Sequence, residues 1–403
     1  MAKNKADVVT PWKVEAISAS GIDFDKLLQG EYYKDCEEID DMLIERIENL
    51  TKKPVHHFLK RGIVISHSKM NDILDLYQTG KPFYLYTGRG PSSGSLHLGH
   101  LVPFKLTKWL QDTFDVPLVI QLADDEKFLC KEIQTTEEAI NLSHQNAKDI
   151  IALGFDEKKT FIFSNLEYMC PAFYQNICRI EKLITNSDVM NKFGIGKNDS
   201  IGKTSFPAIQ AAPSVSSSFP EIFGSSKDMT CLIPCALDQH IFFHITRKAT
   251  QFMKCEKHAL IHTTFLPALN GGKKKMSASC ANSAIFLTDG EHEIEKKILE
   301  MKVQGNDTVS SAMGPTCSER ENIEADIPYQ LAKFFVEDEV KWNEMKQEYE
   351  TGSLSAMELK KKLISVLKKT VREIQEKRKN VNDDIVAKFM SPRPLSYRYR
   401  NGV

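Results

Sequence analysis

Two short stretches of this sequence carry residue types that together suit phosphate chemistry. The first is GRGPSSGSLHLGH, from Gly88 to His100. Its glycines permit a tight turn and close approach of backbone to a ligand. A helix opening near its end would present free N–H groups and a positive dipole end, which favour phosphate. His97 and His100 are three residues apart and share one helix face. Gly99 between them removes a side chain and leaves room for a flat group such as adenine. Two histidine donors there can stabilise charge growing on a triphosphate. The plainer alternative is a pair of histidines that cap and pack a helix start. The second stretch is GGKKKMSAS, from Gly271 to Ser279. It reads as a mobile basic loop able to close on a pyrophosphate leaving group. Lys275 would neutralise charge, and Ser277 and Ser279 would donate hydrogen bonds. Taken alone it reads more readily as an exposed basic loop; it is the pairing with HLGH far upstream that favours chemistry.

The elements around these stretches must bring them together. Lys81–Gly88 reads as an aromatic-rich strand opened by proline and closed by glycine. The stretch HLGHLVPFKLTKWLQDTF reads as the helix that follows it. Val116–Leu122 is a nearly continuous apolar run, suited to a strand buried on both faces. Thr136–Leu153 has a helical pattern, Thr160–Phe163 is a short strand, and Thr230–Cys235 and Ala259–Phe265 are further strands. Strands alternating with helices over 76–285 predict a doubly wound α/β domain. Residues 1–75 read as an N-terminal appendage with an amphipathic helix over Glu37–Leu50, and 286–403 as long, charged helices. Within that last part, Glu358–Lys379 holds nine basic residues against three acids, and the tail SPRPLSYRYR adds Arg393, Arg398 and Arg400.

Composition narrows the class. The 403 residues are enough for two or three domains, and a net charge of -1 directs the whole molecule toward no charged partner. A nucleic-acid surface must then be a local patch. Nine scattered cysteines with no CxxC pair predict no structural zinc or cluster site, so no metal ligands are expected. The opening MAKNKADVVTPWKVE lacks the apolar run of a signal peptide, and no stretch reaches the length of a membrane-spanning helix. The expectation is a cytosolic protein with reduced thiols.

HLGH early and KMSAS late make the sequence similar to class I aminoacyl-tRNA synthetases. The phrases FYLYTGRGPSS, PLVIQLADDEKFL, IGKTSFPAIQAAPS, LIPCALDQ and KKMSASCANSAIFLTD resemble the tryptophanyl-tRNA synthetase family of eukaryotic and archaeal type, from about Pro11 to Pro394. The resemblance implies a Rossmann-like parallel sheet as catalytic domain, an anticodon-binding helical domain over 286–403, ATP and Mg²⁺, tRNA(Trp) as partner and a homodimer. It implies that Tyr86 and Gln121 recognise the indole, whose single N–H needs an acceptor. It assigns the substrate ammonium to Glu126, Gln210 and Gln239. It assigns ATP contacts to Arg89, Gly90, His97, Gly99, His100, Ala236, Lys275, Met276 and Ser277, with Thr10–Pro11–Trp12 folding over them. His97, His100, Lys275 and Ser277 would be the catalytic set, the two histidines and the lysine bearing charge. Three departures stand out. His240 and His244 replace an acid and an arginine of the family pattern, GSLHLGH replaces a Glu-Ala-Met stretch before the first histidine, and Lys273–Lys275 is longer than the usual basic run. A cofactor adenylyltransferase, a tyrosine enzyme of the same fold and a non-catalytic descendant are the competing readings; amino-acid-dependent ATP–pyrophosphate exchange separates them.

Overall fold

The alternation of side chains along a strand divides this protein into two cores. In strand β5 (Phe83–Arg89), Phe83 and Leu85 enter one apolar cluster, while Tyr84 and Tyr86 enter another. Strand β6 (Leu118–Leu122) does the same, Leu118 and Ile120 on one side and Val119 on the other. Successive residues of a strand point to opposite faces, so a strand covered on both sides reads as an unbroken apolar run. The computed structural model describes residues 7–18, 21–130, 133–224, 229–253, 255–278, 281–301 and 323–396.

The main sheet has seven strands in the order β3-β4-β9-β8-β5-β6-β7. β5, β6, β7 (Thr160–Ser164), β8 (Thr230–Ala236) and β9 (Ala259–Thr263) run parallel. These five match the strands expected from sequence. Two further strands come from the segment read as an appendage. β4 (Val64–Ser68) pairs antiparallel with β9, and β3 (Glu37–Glu38) pairs antiparallel with β4. The N-terminal segment is thus built into the catalytic sheet. The helix expected from Glu37 begins at Asp41 and ends at Thr51, because Asp40 accepts the Leu43 N–H at 2.8 Å and sets the N-cap.

A second sheet of four strands, β1-β2-β11-β10, is also corrected relative to the sequence reading. Gly271–Lys275 is strand β11, not a loop. It pairs antiparallel with β10 (Pro267–Ala268) and with β2 (Lys13–Glu15), which itself forms a hairpin with β1 (Val8–Thr10). Pairing on both edges overrides the low strand propensity of glycine and lysine. The C-terminal helices Glu291–Leu299, Ile327–Phe335, Glu339–Glu350, Ala356–Lys379 and Asp383–Met390 share the first core: Tyr329, Leu363 and Leu367 belong to the same cluster as Phe104 and Ile120.

Candidate active site

In an open parallel sheet, ligands sit beyond the carboxyl ends of the strands where the strand order reverses. Here the order turns at β5, which lies between β8 and β6. A cavity of about 310 Å³ opens at that point. It is lined by Arg89 and Gly90 at the end of β5, His97, Gly99 and His100 at the start of the following helix, Ala236 at the end of β8 with Asp238 just beyond it, and Lys275 at the end of β11 with Met276 and Ser277 just beyond it. The two sequence stretches singled out for phosphate chemistry therefore meet in one pocket.

The histidine pair is set by local structure. His97 is the N-cap of the Leu98–Phe114 helix. Its backbone N–H donates to Nδ1 of His100 at 3.1 Å, and the two rings stack with centroids 3.5 Å apart. The segment after the KMSAS phrase pins this turn: Leu98 N–H donates to the Ile285 carbonyl at 2.9 Å, and Leu287 N–H to that of Leu96 at 2.9 Å. Burial holds both imidazoles well below their ordinary pKa, and the nearby cations Arg89 and Lys275 push the same way. The pocket thus favours the uncharged form of both rings. An uncharged imidazole still offers an N–H donor, so the pair suits hydrogen bonding to an anion. Nδ1 of His97 is buried without a hydrogen-bond partner, in a residue that lines the cavity. The space at the glycines is also specific. A Cβ on Gly90 would lie 2.3 Å from Oε2 of Glu126, and one on Gly99 would meet the His97 ring at 3.0 Å and Met276 at 3.3 Å. Gly99 thus makes room for histidine and methionine packing.

Lys275 forms an ion pair with Asp238, whose carboxylate is almost wholly buried. The other oxygen of Asp238, Oδ1, is buried and without a hydrogen bond. Met276 is buried and its N–H donates to the Leu266 carbonyl at 2.8 Å, while the Ser277 carbonyl accepts from Ser283 Oγ at 3.2 Å. Ser279, expected as a donor, lies outside the described residues.

The apolar end of the pocket is a chain of hydrogen bonds. Tyr86 Oη has Oε1 of Gln121 at 2.6 Å and the Gln210 carbonyl at 2.7 Å within reach of its single proton, and accepts from Nε2 of Gln210 at 2.9 Å. Gln121 is fully buried and lies behind Tyr86, outside the lining. Its Nε2 donates to Asn165 at 2.9 Å, and Asn165 in turn donates to Asp125 at 2.7 Å. Burial raises the Asp125 carboxyl to about 7, against the bond from Asn165 and with help from Asp124 and Glu126. Glu126 and Gln239 complete the lining. Glu126 is held by Trp12, whose indole N–H donates to Oε1 at 2.9 Å. Trp12, in the turn between β1 and β2, packs on Phe193 and Phe242 with ring centroids 5.3 and 6.3 Å away. The turn holding Thr10–Pro11–Trp12 does reach the pocket.

Sequence reasoning missed Asp238, Asn165, Asp125 and Asn146, the last of which accepts from Nε of Arg89 at 3.2 Å. Nothing local marks them, since each acts on a partner distant in the chain. His240 and His244 lie outside the cavity lining. His240 is buried, its Nε2 lies 2.9 Å from the Tyr32 carbonyl, and burial lowers its pKa to about 4.

A parallel sheet that joins a His97–Gly99–His100 helix start to a Lys275–Met276–Ser277 segment defines a class I aminoacyl-tRNA synthetase, and the family described as tRNA synthetases class I (W and Y) matches residues 78–372. The cytoplasmic tryptophan–tRNA ligase of Homo sapiens is 49% identical over 399 residues, covering 98% of this chain and 83% of the human one, and that of Arabidopsis thaliana is 45% identical over 98% of this chain and 96% of its own. A crystal structure of tryptophanyl-tRNA synthetase from Encephalitozoon cuniculi bound to tryptophan superposes with a TM-score of 0.83 at 39% identity, over 92% of this chain and 98% of that one. The chain belongs to the tryptophan–tRNA ligase family.

Proposed function

We propose that this protein activates L-tryptophan with ATP and transfers the tryptophanyl group to tRNA(Trp), in the cytoplasm. The observation that carries the reading is the meeting of the histidine pair, Lys275 and the Tyr86–Gln210 wall in one cavity. The tryptophan carboxylate attacks the α-phosphorus of ATP, the bond to the bridging oxygen breaks, and pyrophosphate leaves. A carboxylate is already ionised at neutral pH, so the step needs no general base. Rate comes from positioning and from stabilising charge on the phosphates. His97 and His100 act as neutral N–H donors. Lys275 exchanges Asp238 for the triphosphate, Ser277 adds a hydroxyl donor, and Arg89, Gly90, Gly99, Ala236 and Met276 bound the nucleotide. Mg²⁺ enters as part of the MgATP substrate.

Tyr86 meets the indole N–H through its hydroxyl oxygen, and Gln121, buried behind it, orients that hydroxyl; a site built around that bond rejects rings that lack the N–H. Glu126, Gln210 and Gln239 receive the ammonium group. In the second step the terminal ribose hydroxyl of the tRNA attacks the carbonyl carbon and AMP leaves. Residues 286–403 serve as the anticodon-binding part, and the working assembly is a homodimer. The basic stripe expected to meet tRNA phosphates is narrower than its composition suggests. Lys360 is buried against the carbonyls of Leu299 and Met301. Lys362, Lys368, Arg372, Arg378 and Lys379 are paired with Glu348, Glu295, Glu291, Asp149 and Glu376. Arg393 caps carbonyls of Ser391 and Thr160, both at 3.0 Å, and Arg398 and Arg400 lie outside the described residues.

The test is ATP–pyrophosphate exchange by the purified protein with tryptophan, tyrosine and phenylalanine in parallel. Exchange with tryptophan alone is the expected outcome; exchange with tyrosine, or none from folded protein, would overturn the reading.

A further inference from the structure

His240, one of the departures from the family pattern, opens the His240–Phe252 helix directly after Gln239. Its Nε2 lies 2.9 Å from the carbonyl of Tyr32, so that nitrogen carries the proton and donates. Its Nδ1 is then left with a lone pair. That lone pair faces Nε2 of His262 on β9 at 3.0 Å and Sγ of Cys36 at 3.9 Å. The three ligand atoms lie within 4.8 Å of one another, with both histidines buried and Cys36 half-buried. The other nitrogen of His262, Nδ1, is 3.0 Å from Oγ of Ser66. Each imidazole is therefore held at its far nitrogen by an oxygen, the arrangement that orients metal-binding histidines.

We propose that Cys36, His240 and His262 form a zinc site. Zinc takes nitrogen ligands at about 2.0–2.1 Å and thiolate at about 2.3 Å in a tetrahedron, which places two nitrogens roughly 3.4 Å apart and nitrogen and sulfur roughly 3.6 Å apart. The two separations measured from Nδ1 of His240 reach these values with shifts of a few tenths of an ångström. Two imidazoles and one thiolate favour zinc over magnesium or calcium, which select oxygen. Asp35 is engaged by Arg247 and by Ser68, so the fourth position falls to a solvent molecule. In the metal-free protein, Nε2–H of His262 donates to His240 and Ser66 donates to Nδ1 of His262. On binding, the proton of His262 moves to Nδ1 and donates to Ser66, the thiol proton of Cys36 passes to solvent, and the sulfur–metal bond forms. The cysteine-spacing rule gave no hint of this because the ligands stand 204 and 22 residues apart. The metal would tie the segment before β3 to β9 and to the helix that begins next to Gln239, so it braces the wall of the active site from outside the pocket.

The probe is Co²⁺, titrated into the full chain after chelator treatment and followed by absorption spectroscopy. The expected result is a thiolate-to-cobalt charge-transfer band with intense visible bands of a tetrahedral ion, saturating at one equivalent and bleached by Zn²⁺. C36S should abolish the charge-transfer band, and H240N and H262N should weaken Co²⁺ binding by at least about tenfold. Cys36 is only half-buried, so C36S and C36A keep the fold and decide the matter even if a buried histidine variant does not. A wild-type protein with no charge-transfer band, or a band that persists in C36S, would overturn the site and leave the three residues as a hydrogen-bonded cluster.

Discussion

Lys275 is the residue on which two demands fall. Within the folded protein its ammonium pairs with the buried carboxylate of Asp238, and in the proposed reaction it reaches developing charge on phosphate. Lys275→Ala should lower tryptophan-dependent exchange by about 10²–10³-fold while equilibrium binding of tryptophan stays within a factor of two; equal loss of both would remove the assigned role. Asp125 makes a prediction about pH. Its folded pKa is raised, mainly by burial, from 3.8 to about 7. A carboxyl raised in the folded state favours folding below its unfolded pKa and loses that contribution as pH rises through the folded value. Asp125→Asn keeps an oxygen to accept from Asn165 and never ionises. The variant should therefore match the wild type in denaturant melts near pH 4 and gain stability relative to it by pH 8, by about 4 kcal/mol at most. A difference that is constant with pH would show that Asp125 is not the titrating group. The residues at this scale divide cleanly in legibility. Tyr86, Lys275 and the histidine pair stood out in the sequence because their neighbours in the chain complete the pattern. Asp238, Asn165 and Asp125 did not, because what makes each matter is a partner 37 to 44 residues away.

At the scale of elements, the hairpin β1–β2 joins the N-terminal segment to the strand that carries Lys275. Glu15 of β2 is paired in register with Lys274 of β11, and the turn between β1 and β2 delivers Trp12 to Glu126. Trp12→Phe keeps an aromatic ring against Phe193 and Phe242 but deletes the N–H that orients Glu126. Loss of a hydrogen bond to a charged group costs about 1.5–3 kcal/mol, so KM for tryptophan should rise by about tenfold or more with the melting temperature unchanged. Steady-state exchange and thermal unfolding measured on the same sample decide it; an unchanged KM would leave Trp12 a packing residue. The five parallel strands were legible because each is an apolar run covered on both faces. β3, β4 and β11 were not. β3 is two glutamates, β4 contains His67 and two serines, and β11 is glycine and lysine throughout. Such segments become strands only because a neighbour offers a free edge.

The whole molecule is held together across its sequence divisions. Arg378, near the end of the Ala356–Lys379 helix, pairs with Asp149 of the Thr136–Ala152 helix, and Asp149 is fully buried, accepting also from Ser95 at 2.9 Å and from the Leu96 N–H at 2.8 Å. The C-terminal helices thereby reach the turn that carries His97. Removing one partner of a buried pair leaves an uncompensated charge, at a cost of about 3–5 kcal/mol. Arg378→Ala should lower the melting temperature and weaken exchange, and adding Asp149→Asn should restore part of the stability; no recovery in the double variant would place the effect elsewhere. His57 and Arg61 make a similar seam, with Nε2 of His57 3.0 Å from the Phe334 carbonyl and Arg61 donating to Lys333 and Val336 carbonyls at 2.8 and 2.7 Å. What the sequence by itself determined was chemistry and class: HLGH, KMSAS, the apolar strand runs and the tryptophan-family phrases are contiguous, and a contiguous signal survives without coordinates. What only the tertiary structure decided was which distant groups touch. It placed Lys275 on a strand and against Asp238, lowered the pKa of the histidine pair by burying it beside cations, drew the N-terminal segment into both sheets, and set Cys36 against His240 and His262. Burial and pairing depend on distance in space, and the order of residues along a chain does not encode that distance until the chain has folded.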